Sequence, residues 1–308
     1  MSEKIEYVDS SSTWDRLVDH LGGQSWPAST LYVVATPIGN MGDLSVRAWQ
    51  TLTRCDVIAA EDTRTSRALL DMWGIATPLI ASHRHNEAGA AQAIVARLAR
   101  GERVGLISDA GAPAISDPGA RVVRAAREAG YAVVAIPGAS AVITALMASG
   151  VTSDENPAFI FAGFMPSRSG DRQKWLQRWC AMPAPVVVFE SPHRLLAAVK
   201  DLERVCGPER LLTIARELTK RFEQVVTLPL SQAAEWLGKD ANRSRGEFVL
   251  IVHQDTYSAV SGDIDASAYS LIDALLETVS VRDAARIAAK VTGLPRDTLY
   301  AVALERSR

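Results

Sequence analysis

Four short apolar runs rich in β-branched residues, at 31–35, 57–60, 103–107 and 132–136, are each followed by a loop and then a stretch of helical periodicity, as at 44–52, 90–98 and 120–129. This alternation constrains the chain more than any other feature, because it implies βαβ units and a mostly parallel sheet buried on both faces. Ligands of such sheets bind beyond the carboxyl ends of the strands, which directs attention to the loops after these runs. A second α/β block follows, with strands expected at 159–162, 186–189, 211–215, 224–227 and 247–252. The segment between the blocks, 149–157, carries Gly, Ser, Asp, Asn and Pro and reads as a linker. Two sheets joined in this way leave an interdomain cleft, a common place for a ligand.

The ends differ in texture. Residues 1–29 are polar and Ser-rich, with Trp14, Leu17, Val18 and Leu21 at helical spacing, and read as a flexible, loosely attached extension. After Val252 the composition turns polar, and helices are expected at 271–276, at 281–291 and, beyond Thr292-Gly-Leu-Pro295, up to Leu304. That succession has a helix-turn-helix shape, read either as a nucleic-acid reader or as a packing or dimerisation appendage. The expected division is therefore 1–29, 30–150, 151–253 and 266–308.

With 48% hydrophobic and 22% charged residues the composition is that of a globular protein. The net charge of −2 means that any nucleic-acid contact must come from local basic patches. Cys55, Cys180 and Cys206 fit neither a zinc site nor a disulfide framework. No apolar stretch approaches the roughly 18–20 residues of a membrane helix, and the first residues lack a signal-peptide pattern, so a cytoplasmic protein is expected.

The loop Ala35-Thr-Pro-Ile-Gly-Asn-Met-Gly-Asp-Leu44 holds Gly39 and Gly42 as G-x-x-G, not the dinucleotide fingerprint, although Glu61-Asp62 lies where a Rossmann ribose site has its acid. The third strand ends in Ser108-Asp-Ala-Gly-Ala-Pro-Ala-Ile-Ser-Asp-Pro-Gly119. Asp109 directly follows a buried strand and suits a site role, whereas Asp117 before Pro118 suits a helix cap. The fourth strand exits through Pro137-Gly138 to Ser140. In the second block the corresponding loops are Gly163-Phe-Met-Pro166, Glu190-Ser-Pro-His-Arg194, Arg216-Glu-Leu-Thr-Lys-Arg221 and Arg243-Ser-Arg-Gly-Glu247. His83 and His85 lack a third ligand at matching spacing, so no metal is expected. His193 reads as a structural residue beside Glu190.

Taken in order, Thr36-Pro-Ile-Gly-Asn40, Ala60-Glu-Asp-Thr-Arg64, His85-Asn-Glu87, Ser108-Asp-Ala-Gly111, Ser116-Asp-Pro-Gly119, Pro137-Gly138, Gly163-Phe-Met-Pro166, Glu190-Ser-Pro-His-Arg194, Arg216-Glu-Leu-Thr-Lys220 and Gly246-Glu247 resemble the RsmI family. These are 16S rRNA (cytidine-2′-O)-methyltransferases of the tetrapyrrole-methylase superfamily. Ala112 departs from the threonine usual in the family's loop. The resemblance implies a two-domain α/β tetrapyrrole-methylase (class III methyltransferase) fold with a small helix-turn-helix-like module, a homodimer, and S-adenosylmethionine as cofactor. It implies as substrate a decoding-centre cytidine, 1402 in the RNA's numbering, in the small ribosomal subunit.

Carried over by motif, the implied cofactor contacts are Pro37, Gly39, Asn40, Asp109, Ala110, Gly111, Pro113, Pro137, Gly138, Ser140, Gly163, Phe164, Met165, Arg216, Glu217 and Leu218. A 2′-hydroxyl needs a base to take its proton. Glu61, Asp62 and Lys220 are the catalytic candidates, with His83 and Glu87 also considered, and Lys220 would need a depressed pKa. Arg64, His83, Asn86, Arg194, Arg221, Arg243 and Arg245 are the RNA-contact candidates. Two other readings are a methylase acting on a porphyrinoid and a DNA-binding regulator that uses the terminal helices.

Overall fold

The computed structural model describes residues 10–254 and 266–307. Contacts divide the chain into two compact units, one reaching His253 apart from residues 181–183, the other holding residues from Gln254 onward.

In the larger unit, helix α1 (Ser10–Gly22) precedes a five-stranded sheet of β1 (Thr30–Val34), β2 (Val57–Ala60), β3 (Leu79–Ala81), β4 (Val104–Ile107) and β5 (Ala132–Ile136). The order is β3-β2-β4-β1-β5 and every pairing is parallel. Alternation along the strands explains the layers. Tyr32, Val34, Ile58 and Ala60 face α2 (Val46–Arg54) and α3 (Thr63–Met72), while Leu31, Val57, Ala59 and Leu106 face α4 (Glu87–Ala99) and α5 (Ala120–Glu128). Strands covered on both faces have no need of polar residues, which is why the runs read as continuous apolar segments. The edge strand β3 has only three residues, none buried, and its sequence carries no strand signal of its own.

The N-terminal segment makes specific attachments to this sheet layer where the sequence suggests a loose one. Gln50 Nε2 donates to the Val18 carbonyl at 2.9 Å, and Arg103 Nε donates to the Trp26 carbonyl at 2.8 Å. The Trp26 ring lies 6.2 Å from that of Tyr32 and under the Arg54 guanidinium at 5.5 Å.

Helix α6 (Ala141–Ser149) leads into a second sheet of β6 (Ile160–Phe164), β7 (Val186–Glu190), β8 (Leu211–Arg216), β9 (Gln224–Pro229) and β10 (Phe248–Val252). Its order is β6-β7-β10-β8-β9, with β6 and β7 parallel and the other pairs antiparallel. One face packs α7 (Ser169–Cys180), α8 (Leu195–Cys206) and α9 (Leu230–Gly238). The other face receives α6 of the first half: Val142, Ala145 and Leu146 meet Val187, Ala215, Val249 and Ile251, with Ile38 and Leu218 completing the cluster. The two sheets therefore share an apolar seam rather than a flexible joint.

Beneath the β6 exit lies a buried ion pair. Arg172 donates from Nε and Nη2 to Asp201 Oδ2 at 2.8 and 2.5 Å, and from Nη1 to the carbonyls of Pro166 and Ser167, each at 3.2 Å. Ser169 and Gln173 satisfy the remaining carboxylate positions.

The smaller unit is a three-helix cluster of Ala266–Leu276, Val281–Thr292 and Arg296–Arg306 around Ile272, Ala285, Ala288, Leu299 and Ala303. Ser280 caps the second helix through the Asp283 N–H, and Gly293 ends it at φ 73°. Arg306 pairs with Asp273 to close the cluster.

Removing one partner of the buried pair leaves an uncompensated charge. Asp201→Ala is expected to cost about 3–5 kcal/mol in a denaturant titration, and Asp201→Asn less. A loss below about 1 kcal/mol for the alanine variant would show that the Arg172 charge finds water.

Candidate active site

The loops at the carboxyl ends of the first sheet and those of the second enclose a cavity of about 360 Å³, a volume within the roughly 300–1,000 Å³ typical of small-molecule sites. Ile38, Ala110, Gly111, Ala112, Ile115, Asp117, Ser140 and Val142 line it from the first half. Phe164, Phe189, Glu190, Leu218, Gly246 and Val249 are among those lining it from the second.

Backbone pairing holds the loops in register. Thr36 N–H donates to the Gly111 carbonyl at 2.9 Å and Gly111 N–H returns the bond at 3.0 Å. Thr36 Oγ1 adds a bond to the Ser108 carbonyl at 3.1 Å. Gly138 passes so close to the first loop that a Cβ there would stand 3.0 Å from that of Ala35. Ala114, Ser116, Glu217 and Thr219 all take positive φ, at 69°, 64°, 50° and 64°. Outside Gly, such backbone is uncommon and clusters where a site needs it, and all four residues sit in the two loops beside the cavity.

The loop after β8 is organised by charge. Glu217 Oε1 accepts from Lys220 Nζ at 2.9 Å and from the Glu247 N–H at 3.0 Å, and Lys220 Nζ also reaches Glu247 Oε2 at 2.9 Å. A side chain at Gly246, whose φ is 100°, would collide with the Glu217 carboxylate at 2.5 Å, and one at Gly39 would meet the Lys220 stem at the same distance. Burial alone would lower the Lys220 pKa, but its bonds to Glu247 and Glu217 outweigh burial and raise it. Lys220 is thus held as an ammonium, which corrects the expectation of a base with a depressed pKa.

Carboxylates converge on the other rim. Asp62 is a helix cap: Oδ1 accepts from Arg64 N–H at 2.8 Å, and the Arg64 guanidinium pairs with it at 3.0 Å. Hydrogen bonding to Arg64 is the largest cause that brings its pKa down to about 2. Asp109 Oδ1 accepts the Asp62 N–H at 3.0 Å. Glu61 is raised above its usual range, first by burial and then by the Asp109 charge. Asp117 is raised to about 6, chiefly by burial, then by Glu61 and Asp109, against the Ser108 hydroxyl and Arg84.

The expectation that Asp117 caps the next helix is overturned, because Glu87 Oε1 does so, accepting from Gly119 and Arg121 N–H at 2.9 and 3.2 Å. That duty also occupies Glu87, one of the bases considered. Asp117 faces the cavity instead, a placement that an Asp-Pro dipeptide does not signal.

Other expected residues divide between the cavity and its supports. Ala110, Gly111, Ser140, Phe164 and Leu218 line it. Asn40 Oδ1 accepts from Gly42 N–H, and its own N–H reaches Thr219 Oγ1 at 3.1 Å. Met165 is buried in the core of the second sheet. The buried Arg216 does not reach the cavity: Nε donates to the Arg245 carbonyl at 2.6 Å and Nη1 to that of Phe222 at 3.0 Å. It thereby draws together two basic turns, carrying Arg221 and Arg245. Glu190 stands in a loop that the sequence marks as a candidate, though it is not itself among the expected site residues; it is buried and lines the cavity. Its Oε1 pairs with Arg194 at 2.6 Å, while Oε2 has no hydrogen-bond partner among the described residues.

Of the RNA candidates, Arg221 and Arg245 are exposed. Arg64 is exposed but paired with Asp62. Arg243 stacks on Trp236 at 4.5 Å and Arg194 is tied to Glu190. Asn86 shapes its own turn, accepting from His83 N–H at 2.8 Å, and His83 is partly buried.

Since folding raises the Asp117 pKa from an ordinary value near 3.9 to about 6, the folded state prefers the protonated form. Ionisation there removes stability as pH rises from about 4 to about 6. Asp117→Asn is therefore expected to raise Tm above pH 6 by about 2–4 °C, equivalent to about 1 kcal/mol, the shift being discounted because the group is half exposed. Below about pH 4 the two proteins should melt together, and an equal difference at every pH would refute the linkage.

Residues 30–234 match the family described as Tetrapyrrole (Corrin/Porphyrin) Methylases, and residues 262–307 match the RsmI C-terminal HTH domain. The protein named Ribosomal RNA small subunit methyltransferase I from Pseudomonas aeruginosa is 44% identical over 281 residues, which is 91% of this chain and 98% of the relative. Its namesake from Escherichia coli O157:H7 is 42% identical, over 90% and 95%. Among solved structures, diphthine synthase aligns with a TM-score of 0.58 at 15% identity, over 74% of this chain and 90% of its own. A Thermus thermophilus uroporphyrin-III C-methyl transferase complexed with S-adenyl homocysteine aligns at 0.52 and 18%, over 72% and 96%.

Proposed function

This chain belongs to the tetrapyrrole methylases and, within them, to the RsmI family, and from that premise we propose that it methylates the 2′-hydroxyl of a cytidine ribose in 16S ribosomal RNA with S-adenosylmethionine. Coverage carries the choice of substrate. Relatives named for ribosomal RNA match 91% and 90% of the chain, whereas uroporphyrin-III C-methyl transferase matches 72% and at low identity, which speaks for the fold alone. The proposed target is the decoding-centre cytidine in the small subunit, and the proposed setting is the cytoplasm, with the enzyme a homodimer. Among the described residues no helix is long and apolar enough to cross a membrane.

The cavity suits the cofactor. Ile38, Leu218 and Val249 give it an apolar wall, Phe164 and Phe189 place aromatic rings on it, and Glu190 Oε2, without a partner among the described residues, offers an acceptor for a donor group. When bound, S-adenosylmethionine supplies an electrophilic methyl group on a positively charged sulfur. The chain's own work is to hold the ribose oxygen in line with that methyl, to keep water away and to accept a proton. The half-exposed side chains of Ile115 and Phe164 flank the cavity.

A target ribose must leave its stack to enter such a site. Arg221 and Arg245, brought together by Arg216, supply phosphate contacts beside the exposed ring of Phe222. Lys220 acts in this reading by tying Glu217 to Glu247 and so fixing the loop after β8, and Glu61 belongs to the acidic rim.

Methyl transfer from labelled S-adenosylmethionine to small subunits lacking the modification should yield 2′-O-methylcytidine on nucleoside mass spectrometry. Transfer to a porphyrinoid but not to subunits or RNA would overturn the substrate. Arg221→Ala combined with Arg245→Ala is expected to weaken RNA binding and to flatten its salt dependence by about two ions, with cofactor affinity unchanged in a calorimetric titration. Equal losses of RNA and cofactor affinity would sink the assignment of these arginines.

A further inference from the structure

Three carboxylates, Glu61, Asp109 and Asp117, come from the loops after β2 and β4 and interact electrostatically at one rim of the cavity. Their occupations differ. Asp109 is spent on the Asp62 N–H, and Glu61 is raised above its usual range by burial and by the Asp109 charge. Asp117 alone of the three lines the cavity, and the Ser108 hydroxyl near it donates to the carbonyls of Ala110 and Gly111. Across the same cavity Glu190, 3% exposed, leaves Oε2 without a partner among the described residues. A ligand that brings a donor to this wall would satisfy that acceptor.

We propose that Asp117 is the general base of the reaction, its carboxylate taking the proton of the ribose 2′-hydroxyl as the oxygen attacks. This rests on the methyltransfer reading above. The O–H bond would break toward Asp117, the electron pair left on oxygen would form the new bond to the methyl carbon, and the methyl carbon–sulfur bond would break with its pair going to the positively charged sulfur, which leaves as a neutral thioether.

The groups that face Asp117 from the elements around it are Glu61 after β2, Arg84 after β3, and Ser108 and Asp109 after β4. Burial and the two acids hold its proton affinity near that needed for transfer at neutral pH, while Ser108 and Arg84 restrain the rise. Asp62, kept at about 2 by Arg64, is far too weak a base for the same task.

The test uses the full chain. Asp117→Asn, which keeps size and shape, is expected to lower kcat by roughly 10²–10⁴-fold and to abolish the acid limb of the kcat/KM–pH profile, while the cofactor Kd from calorimetry stays within about twofold. In wild type that limb should rise with pH through about 6 as Asp117 loses its proton. Carboxyl NMR of the protein without substrate should show a resonance titrating at that midpoint and missing from Asp117→Asn. Glu61→Gln, which leaves Asp117 in place, should move both the limb and the resonance to lower pH.

A retained limb in Asp117→Asn, or a cofactor Kd that weakens in proportion to the rate, would overturn the assignment, the latter making Asp117 a cofactor-binding group. Loss of the limb in Glu61→Gln with its retention in Asp117→Asn would hand the role to Glu61. A wild-type protein that binds cofactor yet methylates no cytidine would overturn the functional reading, and this one with it.

Discussion

The seam between α6 and the second sheet is the contact on which the rest depends. Val142, Ala145 and Leu146 come from the helix that ends the first half, and Val187, Ala215, Val249 and Ile251 come from one face of the second sheet. Burying apolar surface at about 25 cal/mol per Å² makes this joint a continuation of the core rather than a hinge. Ile38 and Leu218 belong both to the seam and to the cavity wall, so the packing that unites the halves also sets the width of the site. A looser seam would leave the loops correctly built and wrongly spaced.

Within that frame the chemistry is divided by partnership rather than by residue type. Asp62 and Asp117 are the same side chain on neighbouring loops. The first caps a helix and pairs with Arg64, the second faces a cavity among like charges, and their pKa values stand at about 2 and about 6. A bond to the charged form and a shortage of water pull in opposite directions. Lys220 shows the reverse case, where two carboxylates outweigh burial and fix the ammonium. The strained backbone at Ala114, Ser116, Glu217 and Thr219 flanks these groups, and their cost of order 1–3 kcal/mol each is borne by the two packed sheets.

Much of this was legible in the chain. The strands at 31–35, 57–60, 103–107 and 132–136 appear within a residue or so of their expected places, because fully covered parallel strands leave an unbroken apolar signature. The cavity loops were legible because a strand that ends in Gly, Pro and Asp announces a tight exit. Less legible was β3, three partly exposed residues held only by pairing with β2. The fate of individual acids was also hidden: the sequence offers Asp117 as a cap and Glu87 as a base, whereas in the structure Glu87 makes the capping bonds, 32 positions away in the chain, and Asp117 faces the cavity.

Local periodicity and turn chemistry thus determined the elements, their parallel order in the first half and the ends at which a ligand can bind, since those properties arise within a few residues of chain. Tertiary structure decided which carboxylate is neutralised, which is strained and which meets the cavity. Arg216 reads as a strand-end site residue, yet it became a tether between two turns because its guanidinium found the carbonyls of Phe222 and Arg245. Proton affinity and hydrogen-bond partnership depend on what lies within a few ångströms in space, and for residues drawn from separate loops only the packed fold sets that neighbourhood.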